Sequence, residues 1–382
     1  MDKRSFLKTS ALGATSVVVS PFEAINVGLA RTSNGKKALM LGGRGFIGPS
    51  IVKALMGAGY EVTLLNRGKT NPGLFSDLPV IICDRERENK AGLKAINKKH
   101  KETYWDVVVD TWQKSPKAVA DFLEEFKENI GHYHYISTIS VYDKWDKKYI
   151  VESEPLNPLP AAPKTIGEEF RYAIRKTFAE EAIRKNTERY TIYRSLGMKD
   201  FRTTRPMDPD AQPYWAVRFN RGGEILVPKI DDHHIQFTDV QSMVQFVLRC
   251  SENKTYGEFN VAHPSIAFKD YLSCLSYVTQ KPEKLHWIDG DFLKNEGLLP
   301  YRIVPFWREK PIGFYYFNVQ KALSAGLVNR PVTQMLADQL AGYNSRFPKD
   351  DVRFGTIVGD KTIKYFSMEK EEEVIRKWLA QG

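Results

Sequence analysis

The chain has 382 residues, 42% of them hydrophobic and 12% aromatic, with a formal net charge of +10. This length and apolar content exclude wholesale disorder and suit two domains, or one large α/β domain with an appended lobe. The charge is compatible with anionic ligands such as a cofactor, a nucleotide sugar or nucleic acid, but the Lys and Arg residues are dispersed among acids and read as solvated surface.

The first thirty residues read as a signal segment. Lys3, Arg4 and Lys8 form a positive start, residues 9–19 are mildly apolar, and Gly28-Leu29-Ala30 offers a small-x-small cleavage pattern. The run Asp2-Lys3-Arg4-Ser5-Phe6-Leu7-Lys8 resembles a bacterial twin-arginine signal with lysine in place of the first arginine. The expectation is export to the periplasm, with a cytoplasmic protein bearing an N-terminal arm as the other reading. No other segment is apolar for long enough to span a bilayer.

Residues 38–41 are an apolar strand that ends in Gly42-Gly43-Arg44-Gly45-Phe46-Ile47-Gly48, a G-x-x-G-x-x-G turn. Ile47, Ile51, Leu55 and Met56 then recur at helical spacing, and residues 61–66 form a second strand. A strand turning sharply into a helix through glycines seats a pyrophosphate on the helix N-terminus, so the unit predicts a dinucleotide site. Strands are expected at residues 77–83, 105–110, 132–137 and 190–194, and helices at 91–100, 116–129 and 165–186. A polar, proline-rich excursion is expected at 144–164. This alternation predicts an α/β fold, a doubly wound parallel sheet over residues 37–196.

From residue 197 to 382 the pattern predicts a smaller substrate lobe with elements returning to the sheet. A loop is expected at 206–213, short strands at 225–228 and 235–237, and a strand at 259–262. Helices are expected at 240–250, 268–279, 331–343 and 369–379. Cys83, Cys250 and Cys274 lack metal-ligand spacing and form no disulfide framework. Asp231-Asp232-His233-His234 is contiguous rather than spaced for tetrahedral ligation, so it reads as a loop and no metal is expected.

The expected cofactor contacts are Gly42, Arg44, Gly45, Phe46, Ile47 and Gly48 in the turn, Asn66 and Arg67 after the second strand, Asp84 and Arg85 after the third, and Thr111 after the fourth. The second strand ends without the acid that commonly holds the ribose 2′-hydroxyl of NAD. Arg67, aided by Arg44, could pair with the 2′-phosphate of NADP, or Arg67 could lie over the adenine of NAD; both cofactors stay open. Asp84 is placed to bond the adenine amino group or to cap a turn. Tyr172 and Lys176 lie four apart on one helical face, where the ammonium can stabilise a phenolate, and both also belong to the cofactor set. A hydroxyl from the Ser137-Thr138-Ile139-Ser140 stretch can hold the substrate oxygen.

The sequence resembles the extended short-chain dehydrogenase/reductase superfamily, in its NAD-dependent epimerase/dehydratase branch. Leu41-Gly42-Gly43-Arg44-Gly45-Phe46-Ile47-Gly48 resembles the family's T-G-x-x-G-x-x-G, and Thr138, Tyr172 and Lys176 match its catalytic Thr, Tyr and Lys. Asn66-Arg67-Gly68, Gln236-Phe237-Thr238-Asp239, Gly257-Glu258-Phe259-Asn260 and Arg330-Pro331 resemble an atypical subgroup that also contains chloroplast RNA-binding proteins. The resemblance implies hydride transfer with NAD or NADP on a hydroxyl of a sugar-like small molecule. Ile139-Ser140 stands where a 4,6-dehydratase has an Asp-Glu pair, which argues against that reaction. Arg194-Ser195-Leu196-Gly197 departs from the family's Arg-Pro-Gly. The other reading is a catalytically reduced Rossmann protein that binds RNA or another partner. Export and the Tyr–Lys pair argue against nucleic acid, and a homodimer is left open.

Overall fold

A computed structural model describes residues 35–87, 89–159, 172–199, 214–229, 233–300, 304–308, 311–346, 355–358, 361–364 and 367–381. The expected signal segment, the loop at 206–213 and the first part of the helix expected from 165 lie outside the described residues.

The first half alternates β1 (Lys37–Leu41), α1 (Gly48–Gly57), β2 (Glu61–Asn66), β3 (Val80–Ile82), α2 (Asn89–Lys99), β4 (Trp105–Asp110), α3 (Pro116–Phe126), β5 (Ile130–Thr138), α4 (Tyr172–Asn186) and β6 (Tyr190–Ser195). Then come β7 (Met198–Lys199), α5 (Tyr214–Arg221), β8 (Gly223–Lys229), β9 (His234–Ile235), β10 (Thr238–Asp239), α6 (Val240–Asn253), β11 (Gly257–Val261), β12 (Ile266–Ala267), α7 (Phe268–Thr279), β13 (Glu283–Asp289) and α8 (Gly290–Asn295). The chain closes with α9 (Gln320–Ser324), α10 (Val332–Arg346), β14 (Gly355–Val358), β15 (Lys361–Lys364) and α11 (Met368–Leu379).

Seven strands form one parallel sheet in the order β11-β6-β5-β4-β1-β2-β3. The chain winds outward in one direction from β1 to β3, then returns to the other side of β1 with β4. The loops after β1 and β4 therefore diverge and leave a crevice at the carboxyl ends of the strands, where doubly wound folds bind ligands. The core strands read as apolar runs because both faces are covered. α1 and α6 cover one face, with Ile51, Val52, Leu55, Val244 and Val247 buried there. Residues of α2, α3 and α4, among them Leu93, Phe122, Phe126 and Ile183, bury the other. A third apolar cluster, built around Trp215, Phe237 and Trp307, joins elements from beyond residue 213 to Val141, Tyr142, Ile150 and Leu196. Among the described residues no helix is long and apolar enough to cross a membrane.

The boundaries differ from expectation where local chemistry decides them. β3 is only Val80–Ile82, because Pro79 has no N–H to give and contributes just its carbonyl, to the amide of Leu64. α3 stops at Phe126 and a tight 3-10 turn over Lys127–Asn129 leads into β5. The strand expected at 235–237 keeps only Ile235, in β9, which pairs with β12; residues 236 and 237 are in no strand, and β10 begins after them and pairs with β7.

β5 alternates histidine and tyrosine over His132–Tyr135 and sends the two types to opposite faces. The His132 and His134 rings lie 3.8 Å apart. His132 Nε2 is 2.7 Å from Thr191 Oγ1, and His134 bridges Tyr193 Oη at 2.8 Å and Ser251 Oγ at 3.0 Å. Burial pulls the His132 imidazole down to about 3 and that of His134 well below its usual value. A histidine whose folded-state value is depressed contributes stability above its unfolded value of 6.5, and that contribution drains away as pH falls towards 3. We expect the urea midpoint to drop between pH 6.5 and 4 and the drop to be shallower in His132→Gln. Parallel titration curves for the two proteins would refute this.

Candidate active site

The glycine turn is shaped by positions that a side chain could not occupy. Gly42 and Gly43 take φ of +112° and +91°, in the region that favours glycine. A Cβ on Gly48 would lie 2.8 Å from the Cα of Gly43, so α1 packs directly on the turn. Ile47 precedes α1 without a side-chain cap, and the helix has no acid in its first turn. Its N-terminal amides and positive dipole end are thus met by neither a cap nor an acid of the helix's own first turn, as suits an anion-binding helix terminus.

Two asparagines tie the loop after β2 to this turn. Asn66 Nδ2 donates to Gly42 O at 3.2 Å, and Asn71 Nδ2 donates to Arg44 O at 2.9 Å. Asn66 Oδ1 in turn accepts the Gly68 amide at 2.8 Å. Arg67 and Lys69 are thereby carried to the same cleft as Arg44. Asp84 accepts the Glu86 amide through Oδ1 at 3.3 Å, which is the turn-capping alternative, and it does not line the cleft. Gly48 likewise lies behind the cleft wall, while Gly42, Gly45, Phe46 and Ile47 line it.

A buried ion pair organises the ends of β3, β4 and β5. Arg85 donates through Nη1 and Nη2 to Asp110 at 2.8 and 2.9 Å. Asp110 also accepts Tyr133 Oη at 2.7 Å and the Trp112 amide at 2.8 Å. Burial alone would push the Asp110 carboxyl up, but Arg85, Tyr133 and the Trp112 amide together hold it below the usual carboxylate range. The Arg85 guanidinium, expected as a cofactor contact, lines the cleft but is committed to this pair, and the Trp112 ring stacks against it. Thr111 lines the cleft beside Gly42, where a Cβ on that glycine would meet Thr111 Oγ1 at 3.3 Å.

Lys176 is 2% exposed and donates to the carbonyls of Trp112 at 2.9 Å and Ile136 at 2.6 Å, above the Tyr135 ring. Burial pulls its ammonium down to about 7, while the carboxylates of Asp110 and Glu180 hold it up. Tyr172, one turn earlier on α4, lines the same cleft. Thr138 ends β5, but it is absent from the cleft wall: Oγ1 accepts the Ser140 amide at 3.2 Å and donates to Ser140 Oγ at 3.2 Å. Ser137 lines the cleft, yet its Oγ donates to buried Glu180 at 2.7 Å.

The cleft holds about 220 Å³. Trp112, Gln113 and Lys114 line it as well, beyond the contacts that the sequence pattern predicts. Their place after a central strand was the available signal. Six cationic side chains line it, those of Arg44, Arg67, Lys69, Arg85, Lys114 and Lys176, and no carboxylate does so among the described residues. Of the Asp231–His234 stretch, the two aspartates lie outside the described residues. His233 packs edge-on to Phe268, and His234 Nδ1 is 2.9 Å from Tyr316 Oη.

The profile of the NAD dependent epimerase/dehydratase family matches residues 38–262. The chain belongs to that family. It is accordingly an enzyme of the short-chain dehydrogenase type that uses a nicotinamide cofactor. No curated protein sequence matches the chain. Solved structures of similar fold include a UDP-Glc/GlcNAc 4-epimerase from Campylobacter jejuni, with TM-score 0.58 and 15% identity over 81% of this chain and 100% of the other. The Bordetella bronchiseptica enzyme WbmH, solved with NAD+, gives 0.57 and 16% over 83% and 100%. A UDP-glucose 4-epimerase from Thermotoga maritima, solved with UDP-glucose, gives 0.56 and 17% over 81% and 99%.

The glycine packing on which this epimerase/dehydratase-family cleft rests is testable. In Gly48→Ala either α1 or the turn must move, at a cost of about 1–3 kcal/mol. We expect a lower urea midpoint together with weakened nucleotide binding, and wild-type values for both would refute the packing argument.

Proposed function

We propose that this protein is an NAD(P)-dependent epimerase or oxidoreductase acting on a hydroxyl of a sugar or sugar derivative. The observation that carries the reading is the convergence of Tyr172 and Lys176 with the glycine turn on one cleft. The nucleotide-sugar epimerases of similar fold support the substrate class.

The glycine turn fits a dinucleotide: its glycines carry no side chain to hinder close backbone approach, and the first turn of α1 has neither a side-chain cap nor an acid. The cofactor's nicotinamide, when bound, accepts a hydride from the substrate carbon. Tyr172, as phenolate, takes the proton of the substrate hydroxyl and later returns it. Lys176 favours that phenolate electrostatically. Two of its three N–H donors are given to Trp112 and Ile136, which aims the third and fixes the ammonium against rotation. Thr138 orients the substrate oxygen, exchanging its bond to Ser140 for one to substrate.

The positively charged N-terminus and small-residue cleavage pattern support an exported, periplasmic enzyme. Free nicotinamide cofactor is scarce there, so a resident, internally recycled cofactor and epimerisation fit better than net reduction. Purified protein should release stoichiometric nicotinamide dinucleotide on acid denaturation. An empty protein that also binds neither NAD+ nor NADP+ would sink the reading. Tyr172→Phe should keep its nucleotide but lose about 10²- to 10⁴-fold in turnover. Undiminished turnover would remove Tyr172 from the acid/base role.

A further inference from the structure

The cleft wall beside the glycine turn has a charge pattern that a pyrophosphate does not account for, and its reading rests on the dinucleotide site above. Arg44 is 7% exposed and lines the cleft, and its Nε has no hydrogen-bond partner. A buried guanidinium N–H left unmatched is costly, so a site that keeps one is built for an anion that arrives with the ligand. Arg67 and Lys69 line the same wall from the neighbouring loop. The two loops do not approach by chance: Asn66 and Asn71 tie them together through the carbonyls of Gly42 and Arg44. Arg67 also rests 5.7 Å over the Trp112 ring, which holds its planar fork at the wall.

Nothing on this wall serves a ribose 2′-hydroxyl in the usual way. The position of the acid that would accept from it is occupied by Asn66, both ends of whose amide are already bonded to backbone. Asp84, after the next strand, caps its own turn. Asp110 is closed inside the Arg85 pair. A phosphate in place of that hydroxyl adds close to two negative charges and several acceptor oxygens, which match two guanidiniums and an ammonium.

We propose that Arg44, Arg67 and Lys69 form a subsite for the 2′-phosphate of an adenosine ribose, and that the cofactor of this protein is NADP. The test is calorimetric titration of the full protein, freed of any resident nucleotide, with 5′-ADP, 2′,5′-ADP, NAD+ and NADP+. The wild type should bind 2′,5′-ADP at least about tenfold more tightly than 5′-ADP, with the same preference for NADP+ over NAD+, as expected for added charge-assisted bonds. Arg67→Gln and Arg44→Gln should each bring these ratios towards one. Their retained 5′-ADP binding shows that the site is folded. Equal affinity of the wild type for the two adenosine phosphates overturns the 2′-phosphate subsite while leaving the dinucleotide site standing, and needs no variant to be decisive. Failure to bind any of the four probes overturns both. A protein purified with its nucleotide gives a second readout: released NADP(H) supports the subsite, and released NAD(H) overturns it.

Discussion

One buried ammonium sets the geometry of the cleft. Lys176, reaching down from α4, gives its protons to carbonyls at the ends of β4 and β5 and sits above the Tyr135 ring. A cation taken out of water must find such partners, or lose its proton, and its value near 7 shows how closely the two outcomes are balanced. The requirement works in both directions. It fixes the height of α4 over the sheet, and it needs the Trp112 carbonyl to be held still. The second need is met by Asp110, which takes the Trp112 amide, and by Tyr135, whose hydroxyl donates to the same Trp112 carbonyl at 2.9 Å.

A second buried network, further along α4, connects the sheet to the later part of the chain. Glu180 accepts from Ser137, Arg184 and Arg194. Arg194 also donates to Tyr142 Oη at 3.0 Å, which in turn donates to Asn260 Oδ1 at 2.6 Å. Asn260 completes the chain through the carbonyls of Ile150 and Asn318. Buried polar groups linked in this way are costly to break singly, so they fix one arrangement of α4, β5, β6 and β11. The departure from Arg-Pro-Gly after β6 sits beside this network. Ser195 donates its hydroxyl to Ser137 O at 3.0 Å, and the Leu196 amide, which a proline would lack, donates to Thr238 Oγ1 at 2.9 Å.

Much of this was legible in the linear pattern because it is local. β4 runs from Trp105 to Asp110 as its apolar pattern predicts, and the return of β11 to the sheet follows from the Phe259-Asn260-Val261 stretch. The glycine turn declares itself because only glycine fits where φ is positive or two backbones touch. The Tyr172–Lys176 spacing places two side chains on one face of any helix. Asp84 and Arg85 were harder, since adjacent residues at a strand end point to different places. One caps a turn and the other turns inward to Asp110, twenty-five positions away.

The sequence by itself determined the α/β alternation, the anion-ready start of α1 and the helical face that carries Tyr172 and Lys176. These depend on interactions within a few residues, where backbone sterics and helical period leave little freedom. Tertiary structure alone decided which charges face the cleft. Arg85 is paired with the buried Asp110 carboxylate, whereas among the described residues the Nε of Arg44 has no partner. Charge and hydrogen-bond pairing in a folded chain is settled by neighbours distant in sequence, and no local pattern encodes who they will be.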